Sequence, residues 1–262
     1  ANVGINADAD EIICIDKNAY VIELLNLIKK SNFEDLNQRL MSLINHYGLS
    51  QSYINGYDKY DSLSSGGLGN FNKEAFIKLR NDYNLNKVEN KTVALLALIF
   101  FGFNNQIRFN SKGHFNLPVG KRDYNGSSRK NLIHFNAITN LKRITFINDD
   151  FRNLSKINFS KNDFIYLDPP YLLGLASYNE SGGWSLKDEY DLYNILANLH
   201  KKGVRFALSN VTEHKGQTNK TLIEFAKKNN FKINPIDYHY KNSNYQSTAK
   251  NNLTTEVLIT NY

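Results

Sequence analysis

The residues best suited to chemistry are Asp168, Pro169, Pro170 and Tyr171, which follow directly on the apolar run Phe164–Leu167. The chain has only 4 prolines, and two of them stand here side by side. Proline cannot donate to a β-ladder, so the pair ends the strand. It sets a carboxylate and a phenol on a stiff, extended segment at the strand's carboxyl end, the edge at which open α/β sheets bind ligands. That arrangement suits an amino group conjugated to a ring, whose lone pair is delocalised and poorly nucleophilic. A carboxylate accepting one N–H and a rigid carbonyl accepting the other favour a tetrahedral nitrogen with its lone pair aimed at an electrophile. Pro169 fits the carbonyl role because two constrained φ angles hold it. Tyr171 can stack on the ring, and preorganised acceptors of this kind act electrostatically. In isolation the tetrapeptide is more often a strand-ending turn with an Asp cap, and it leaves the target open among several amines.

The elements around it follow from periodicity. "EIICID" (Glu11–Asp16) predicts a short buried strand, and "AYVIELLNLIKK" a helix with Val21, Leu24, Leu25 and Ile28 on one face. "FEDLNQRLMSLINHYG" predicts a second helix closed by Gly48. From Leu49 to about Thr139 the character changes: a Ser, Gly, Asn and Tyr-rich stretch, helical patterns at "KEAFIKLRNDYN" and "KTVALLALIFFG", then a polar, basic, aromatic-dotted segment from Asn104 to Lys130. "SSGGLGN" joins no strand to a helix and reads as a flexible loop. Strands are then expected at "RITFIND", "DFIYLD", "VRFALSN", "FKINPIDYHY" and "TEVLITNY", with helices at "LKDEYDLYNILANLHKKG" and "TNKTLIEFAKKNN". Alternating strands and helices imply a mainly parallel α/β sheet covered on both faces.

The totals bound the rest. At 262 residues, with 41% hydrophobic and 13% aromatic residues, the chain suffices for one substantial cored domain or one and a half. A formal charge of +7 permits a polyanionic partner without requiring one. The single cysteine, Cys14, reads as a buried core residue of a cytosolic protein. The longest apolar run, Val93–Phe103, is too short to span a bilayer, and the first residues resemble no signal peptide. The His and Cys spacings match no metal site, and neither a phosphate loop nor a G-x-S-x-G elbow is present.

Several segments together resemble the Dam-type family of DNA adenine-N6 methyltransferases (alpha group, D12 class). "NDDFRNLSKINFSKNDFIYLDPPY" resembles the family's acidic-Phe segment followed by D-P-P-Y. "NNQIRFNSKGHFNLPVGK" resembles its recognition loop, while "GVRFALSN" and "TEVLITNY" resemble later strands. The resemblance covers nearly the whole chain. It implies a Rossmann-like α/β methyltransferase sheet formed by residues 1–48 and 140–262, with an inserted, mostly helical target-recognition domain at 49–139. It also implies S-adenosylmethionine as cofactor and duplex DNA as substrate.

By the same resemblance, Asp168, Pro169, Pro170 and Tyr171 hold a flipped adenine. Asp16 meets the cofactor ribose, and Asp150 and Phe151 flank its adenine. Gly4, in "ANVGIN", stands for the tail of the family's F-x-G-x-G loop. Asn104, Arg108, Asn116 and Lys121 belong to the DNA-facing loop, where Arg108 either reads guanine or only positions a phosphate. Asn116, Pro118 and Gly120 also serve to shape a turn, and Lys112, Arg122, Arg129 and Lys130 are further phosphate candidates or plain surface charges. Ser209 and Asn210 either line the adenine pocket or turn the chain. Tyr178, Trp184 and Tyr245 are aromatic candidates for packing or stacking. The expected protein is a monomer or weak dimer, cytoplasmic in a bacterium or phage host and nucleoid-associated through DNA, without metal or membrane. Its expected setting is restriction–modification, with a cognate endonuclease sharing its site. Methylation of RNA or protein, or a catalytically dead DNA-binding module, are the alternatives.

Overall fold

The computed structural model describes residues 2–60, 66–173, 183–236 and 254–262. It is mixed α/β and divides into two compact units, Ala1–Asp150 and Phe151–Tyr262.

In the first unit, helix α1 (Asn2–Asn6) precedes strand β1 (Ile12–Asp16), followed by α2 (Ala19–Lys30), α3 (Phe33–Tyr47) and α4 (Ser52–Asn55). Helices α5 (Gly69–Asn84), α6 (Lys91–Phe101) and α7 (Gly126–Leu141) lead to β2 (Ile144–Asn148). β1 and β2 pair in parallel, from Ile12 opposite Ile144 to Asp16 opposite Asn148. Helix α2 starts where the Asn18 side chain accepts from the Tyr20 and Val21 N–H groups, satisfying donors that a helix start leaves over. Its buried residues are Ile22, Leu24 and Ile28; Ile22, rather than the expected Val21, faces the core. Helix α3 ends at Gly48, whose φ of 71° is the left-handed cap that glycine adopts freely. Helix α6 buries every residue from Val93 to Leu98, so it is the central rod of this unit's core and not a surface helix. Among the described residues no helix is long and apolar enough to cross a membrane.

Three expectations are corrected in this unit. Cys14 is only half-buried and Ile13 is 50% exposed, because β1 pairs with β2 alone among the described strands. The described part of "SSGGLGN" is packed: Leu68 is fully buried, and its N–H donates to the Lys121 carbonyl at 3.1 Å. Gly67 has a φ of 56°, and a Cβ there would meet that same carbonyl at 2.6 Å. Third, helix α7 occupies part of what periodicity left as a polar loop.

The second unit holds β3 (Phe164–Leu167), α8 (Leu186–Lys201), β4 (Arg205–His214), β5 (Gln217–Thr218), α9 (Lys220–Lys228), β6 (Lys232–Pro235) and β7 (Thr254–Thr260). The sheet order is β3-β4-β7-β6, with β5 attached to β4. β3 and β4 are parallel, whereas β7 is antiparallel to both β4 and β6. Thus β3, β4 and β6 run the same way, and the connection through α9 skips one position that the C-terminal strand fills in reverse. Phe206, Leu208, Leu196, Leu222 and Ile259 are at the buried centre of this unit.

A polar knot ties the first unit's irregular segments together. Asp123 is fully buried. Its carboxylate accepts from Ser50 Oγ at 2.9 Å, from Ser52 N at 2.8 Å and from Ser52 Oγ at 2.7 Å. Removing the acceptor strands these buried donors, each at a cost of about 1–3 kcal/mol. Asp123→Ala is therefore expected to lower the urea midpoint by an amount equivalent to about 3 kcal/mol, and an unchanged midpoint contradicts this role.

Candidate active site

β3 stops at Leu167, leaving Asp168 exposed while Leu167 before it is buried. The Tyr171 hydroxyl turns back to lie 3.0 Å from Asp168 Oδ1 and 3.0 Å from Ser209 Oγ. Ser209 sits on β4, next to β3, and is buried. β3 thus delivers a carboxylate at its carboxyl end and the adjacent parallel β4 a hydroxyl from mid-strand, one residue past the ladder they share, and the tyrosine bridges them. Burial, and behind it the Asp168 carboxylate, push the Tyr171 phenol above its ordinary value, against the hydrogen bond to Ser209. Tyr171 therefore stays a neutral donor. Chemically the constellation offers an accessible carboxylate acceptor, a constrained backbone behind it and an aromatic ring beside it.

The first unit carries a second constellation at the carboxyl ends of β1 and β2. Asp16 Oδ1 accepts from Asn18 N at 2.7 Å. Asn148 Nδ2 donates to the carbonyls of Asp16 and Lys17, each at 3.0 Å, which clamps the two strand ends. Lys17 Nζ is 3.5 Å from Asp150, and Asp150 N donates to Asp149 Oδ1 at 2.8 Å. Asp16 and Asp150 are therefore brought to one edge of the first unit. Gly4 lies on the short helix α1, and a Cβ on it would come within 2.9 Å of Cys14 Sγ. Its lack of a side chain lets that helix approach β1.

The segment between Gly102 and Gly120 is a pinned excursion rather than a loose loop. It is closed by antiparallel bridges at Gly102–Val119 and Phe109–Phe115. Asn84 on α5 both accepts from Phe115 N at 2.9 Å and donates to Phe115 O at 3.1 Å, standing in for a partner strand. Arg80 donates to Leu117 O at 2.9 Å, and Phe109 stacks on Tyr20 with centroids 3.9 Å apart. Within it Arg108 Nε donates to Asn116 Oδ1 at 2.8 Å and Nη2 to Asn116 O at 3.0 Å. Asn116 thus fixes the guanidinium plane by one edge. The exposed Asn104 has a φ of 53° in a short 3-10 turn, Phe103–Asn105. The Lys121 side chain is exposed while its carbonyl holds Leu68. Arg129 lies over the rings of Phe33 and Tyr53, which makes packing part of its role. Tyr178 and Tyr245 fall outside the described residues.

Phe151 contacts Trp184, with centroids 5.3 Å apart, and carries the Arg152 guanidinium 4.6 Å from its ring centre. Arg152 also binds Asp188 at 2.6 Å and Asp191 at 2.7 Å. Sequence reasoning missed this cluster and the buried Glu189 beside it. The legible signal was Ser185-x-x-Asp188, which forms a reciprocal capping box at the start of α8. Among the described residues no three His, Cys, Asp or Glu side chains converge as a metal site.

Comparison with known proteins identifies the family. Residues 1–252 match the family described as D12 class N6 adenine-specific DNA methyltransferase. The whole chain is 36% identical to the "Type II methyltransferase M.FokI" of Planomicrobium okeanokoites and 36% identical to the "Modification methylase StsI" of Streptococcus sanguinis. It spans 37% of the length of each of those two proteins. A "DNA adenine methylase" of Vibrio cholerae is 25% identical across 80% of this chain and 68% of its own length. The chain belongs to the D12 class N6 adenine-specific DNA methyltransferase family.

The Asp188 carboxyl is opposed by burial, but hydrogen bonds from Ser185 and Arg152 hold it down at about 2. Its contribution to stability is complete above the unfolded value of about 4 and is lost as pH falls through about 2. In Arg152→Ala the Asp188 carboxyl should titrate closer to its ordinary value, narrowing that window. Carboxyl-carbon NMR reads this directly, and an unmoved titration rules out the Arg152 contact as a cause.

Proposed function

We propose that the chain is a methyltransferase acting on the N6 amine of adenine in duplex DNA, with S-adenosylmethionine as methyl donor. The observation that carries this reading is the Asp168–Tyr171–Ser209 constellation at the carboxyl end of β3, beside the middle of β4. Family membership over residues 1–252 supports it.

In this reading the target adenine leaves the base stack, as enzymes acting on a base require. Asp168 and the Pro169 carbonyl accept its two N–H bonds, and the Tyr171 ring packs on its face. Asp168 Oδ1 exchanges the Tyr171 hydroxyl for the amine, while Ser209 keeps hold of that hydroxyl. Localising the nitrogen lone pair is the electrostatic work, and the proton is lost after transfer through Asp168 or water. The donor set of the first unit fits the cofactor: Asp16 suits ribose hydroxyls and Asp150 an exocyclic amine. In the second unit the Phe151 ring suits a purine face. S-adenosylmethionine, when bound, supplies a methyl made electrophilic by its sulfonium charge.

Residues 49–139 serve in this reading as the target-recognition region. Arg108, with one edge of its guanidinium held by Asn116, presents the remaining donors in the fork that suits guanine. Lys121, Lys112 and Arg122 add phosphate contacts. A Rossmann-like catalytic sheet, a restriction–modification setting with a cognate endonuclease, a cytoplasmic location and a monomer or weak dimer complete the proposal. The names of the two relatives at 36% identity favour that setting.

Asp168→Ala is expected to abolish methyl transfer while leaving DNA affinity intact; normal turnover refutes the assignment. Incorporation of labelled methyl into duplex DNA, RNA and protein measured side by side tests the substrate class, and transfer only to RNA or protein overturns it. DNA retention without cofactor binding marks a dead binding module. Arg108→Ala should cost about 1–3 kcal/mol at one base position if it reads a base. Asn116→Ala should lose part of the same energy by freeing the guanidinium. Equal affinity of both variants for every site sequence rules out base reading.

A further inference from the structure

Arg80 and Asn84, the two α5 residues that hold the 102–120 excursion, stand one helical turn apart on the same face. That turn rises about 6 Å. The backbone groups they hold lie two residues apart on the excursion's returning limb. Asn84 engages Phe115 and Arg80 the Leu117 carbonyl. Two residues of extended chain cover about 6.6 Å. The helix repeat and the strand repeat nearly coincide, so α5 offers two polar anchors at the spacing of alternate strand residues.

These anchors flank Asn116. Phe115 and Leu117 are buried on either side of it. The peptide that joins Phe115 to Asn116 is gripped at both edges. Its carbonyl accepts from Asn84 Nδ2 at 3.1 Å, and its N–H, that of Asn116, donates to the Arg108 carbonyl at 3.2 Å. A side-chain amide carries one acceptor and one donor, the set of a peptide group, so Asn84 serves as a third strand beside the two limbs. Asn116 in turn holds Arg108 Nε and Nη2. A continuous run of bonds thus leads from α5 to the guanidinium. Leucine at position 84 would pack against Phe115 equally well but would hold neither its N–H nor its carbonyl.

We propose that Asn84 and Arg80 are positioning residues for base selectivity, which fix the limb carrying Asn116 and thereby aim the Arg108 guanidinium. The inference rests on the proposed base-reading role of Arg108 and involves residues of the first unit alone.

The test uses the full chain and a plasmid library of randomised duplex segments, with methylated adenines located by sequencing. Asn84→Leu, close in size but without either bond, is expected to lower selectivity about tenfold at the base position that Arg108→Ala relaxes, a hydrogen-bond-sized effect. Arg80→Met, which keeps the stem and loses the donor, should lower it by a smaller factor at the same position. In an Arg108→Ala background Asn84→Leu should cost no further selectivity, since both act through one guanidinium. Unchanged selectivity in folded Asn84→Leu, or a further loss in the Arg108→Ala background, overturns the proposal. Where Asn84→Leu does not fold, unchanged selectivity in Arg80→Met overturns it equally. The Arg108 Nε–H resonance, assigned by its loss in Arg108→Ala, reads the link without DNA. Its exchange with water should quicken in both α5 variants. Wild-type protein that methylates no adenine, or Arg108→Ala with full selectivity, refutes the proposed function instead. The exchange rate then decides the link from Asn84 to Arg108 by itself, and an unchanged rate overturns it.

Discussion

An acceptor that must meet an incoming amine cannot be buried with its partners, because a sealed carboxylate needs every lone pair satisfied from within. Asp168 meets this constraint by lying one residue past the end of a strand anchored by the buried Ile165 and Leu167. The ladder between β3 and β4 covers Phe164–Leu167, and Pro169 and Pro170 prevent its continuation. The carboxylate is therefore fixed by the sheet yet outside it. The Tyr171 hydroxyl shared with Asp168 and Ser209 ties the segment after β3 to the middle of β4.

The same division of labour governs the 102–120 excursion. Its backbone is held by groups on α5, Asn84 and Arg80, and by the stacking of Phe109 on Tyr20. Gly120 permits the closest approach, since a Cβ there would lie 2.5 Å from the Gly102 carbonyl. With the base of the excursion fixed in this way, Asn116 can spend its side chain and carbonyl on orienting Arg108. A guanidinium held by one edge loses less freedom when the other edge binds, which is the advantage of preorganisation.

What was legible in the sequence were the elements whose burial is apolar. Helices α2, α3, α5, α6, α8 and α9 and strands β1 to β4, β6 and β7 all carry a readable hydrophobic period or run. Helix α7 is less readable, because polar residues share its buried seam with Leu132 and Phe135: Asn136 is buried and donates to the carbonyls of Ile28 and Ser31 at 2.5 and 3.0 Å, and Thr139 is fully buried. Periodicity counts apolar side chains and is blind to such a seam. Asp168, Tyr171, Asp16 and Asp150 were nameable because short motifs mark them. The Arg108–Asn116 and Asp123–Ser52 pairs were not, since each depends on segments brought together by the fold. The half-exposure of β1 likewise depends on how many strands flank it, which no local pattern encodes.

Glu189 and Asp168 pose the same chemical group in opposite surroundings within one unit. Asp168 is exposed, touches one hydroxyl at 3.0 Å and has room for an exchange of partners. Glu189 is sealed, faces three donors and bonds to none. A carboxyl in the first setting can serve a passing substrate. In the second it is held away from water, where each interaction is stronger and each unmade bond more costly.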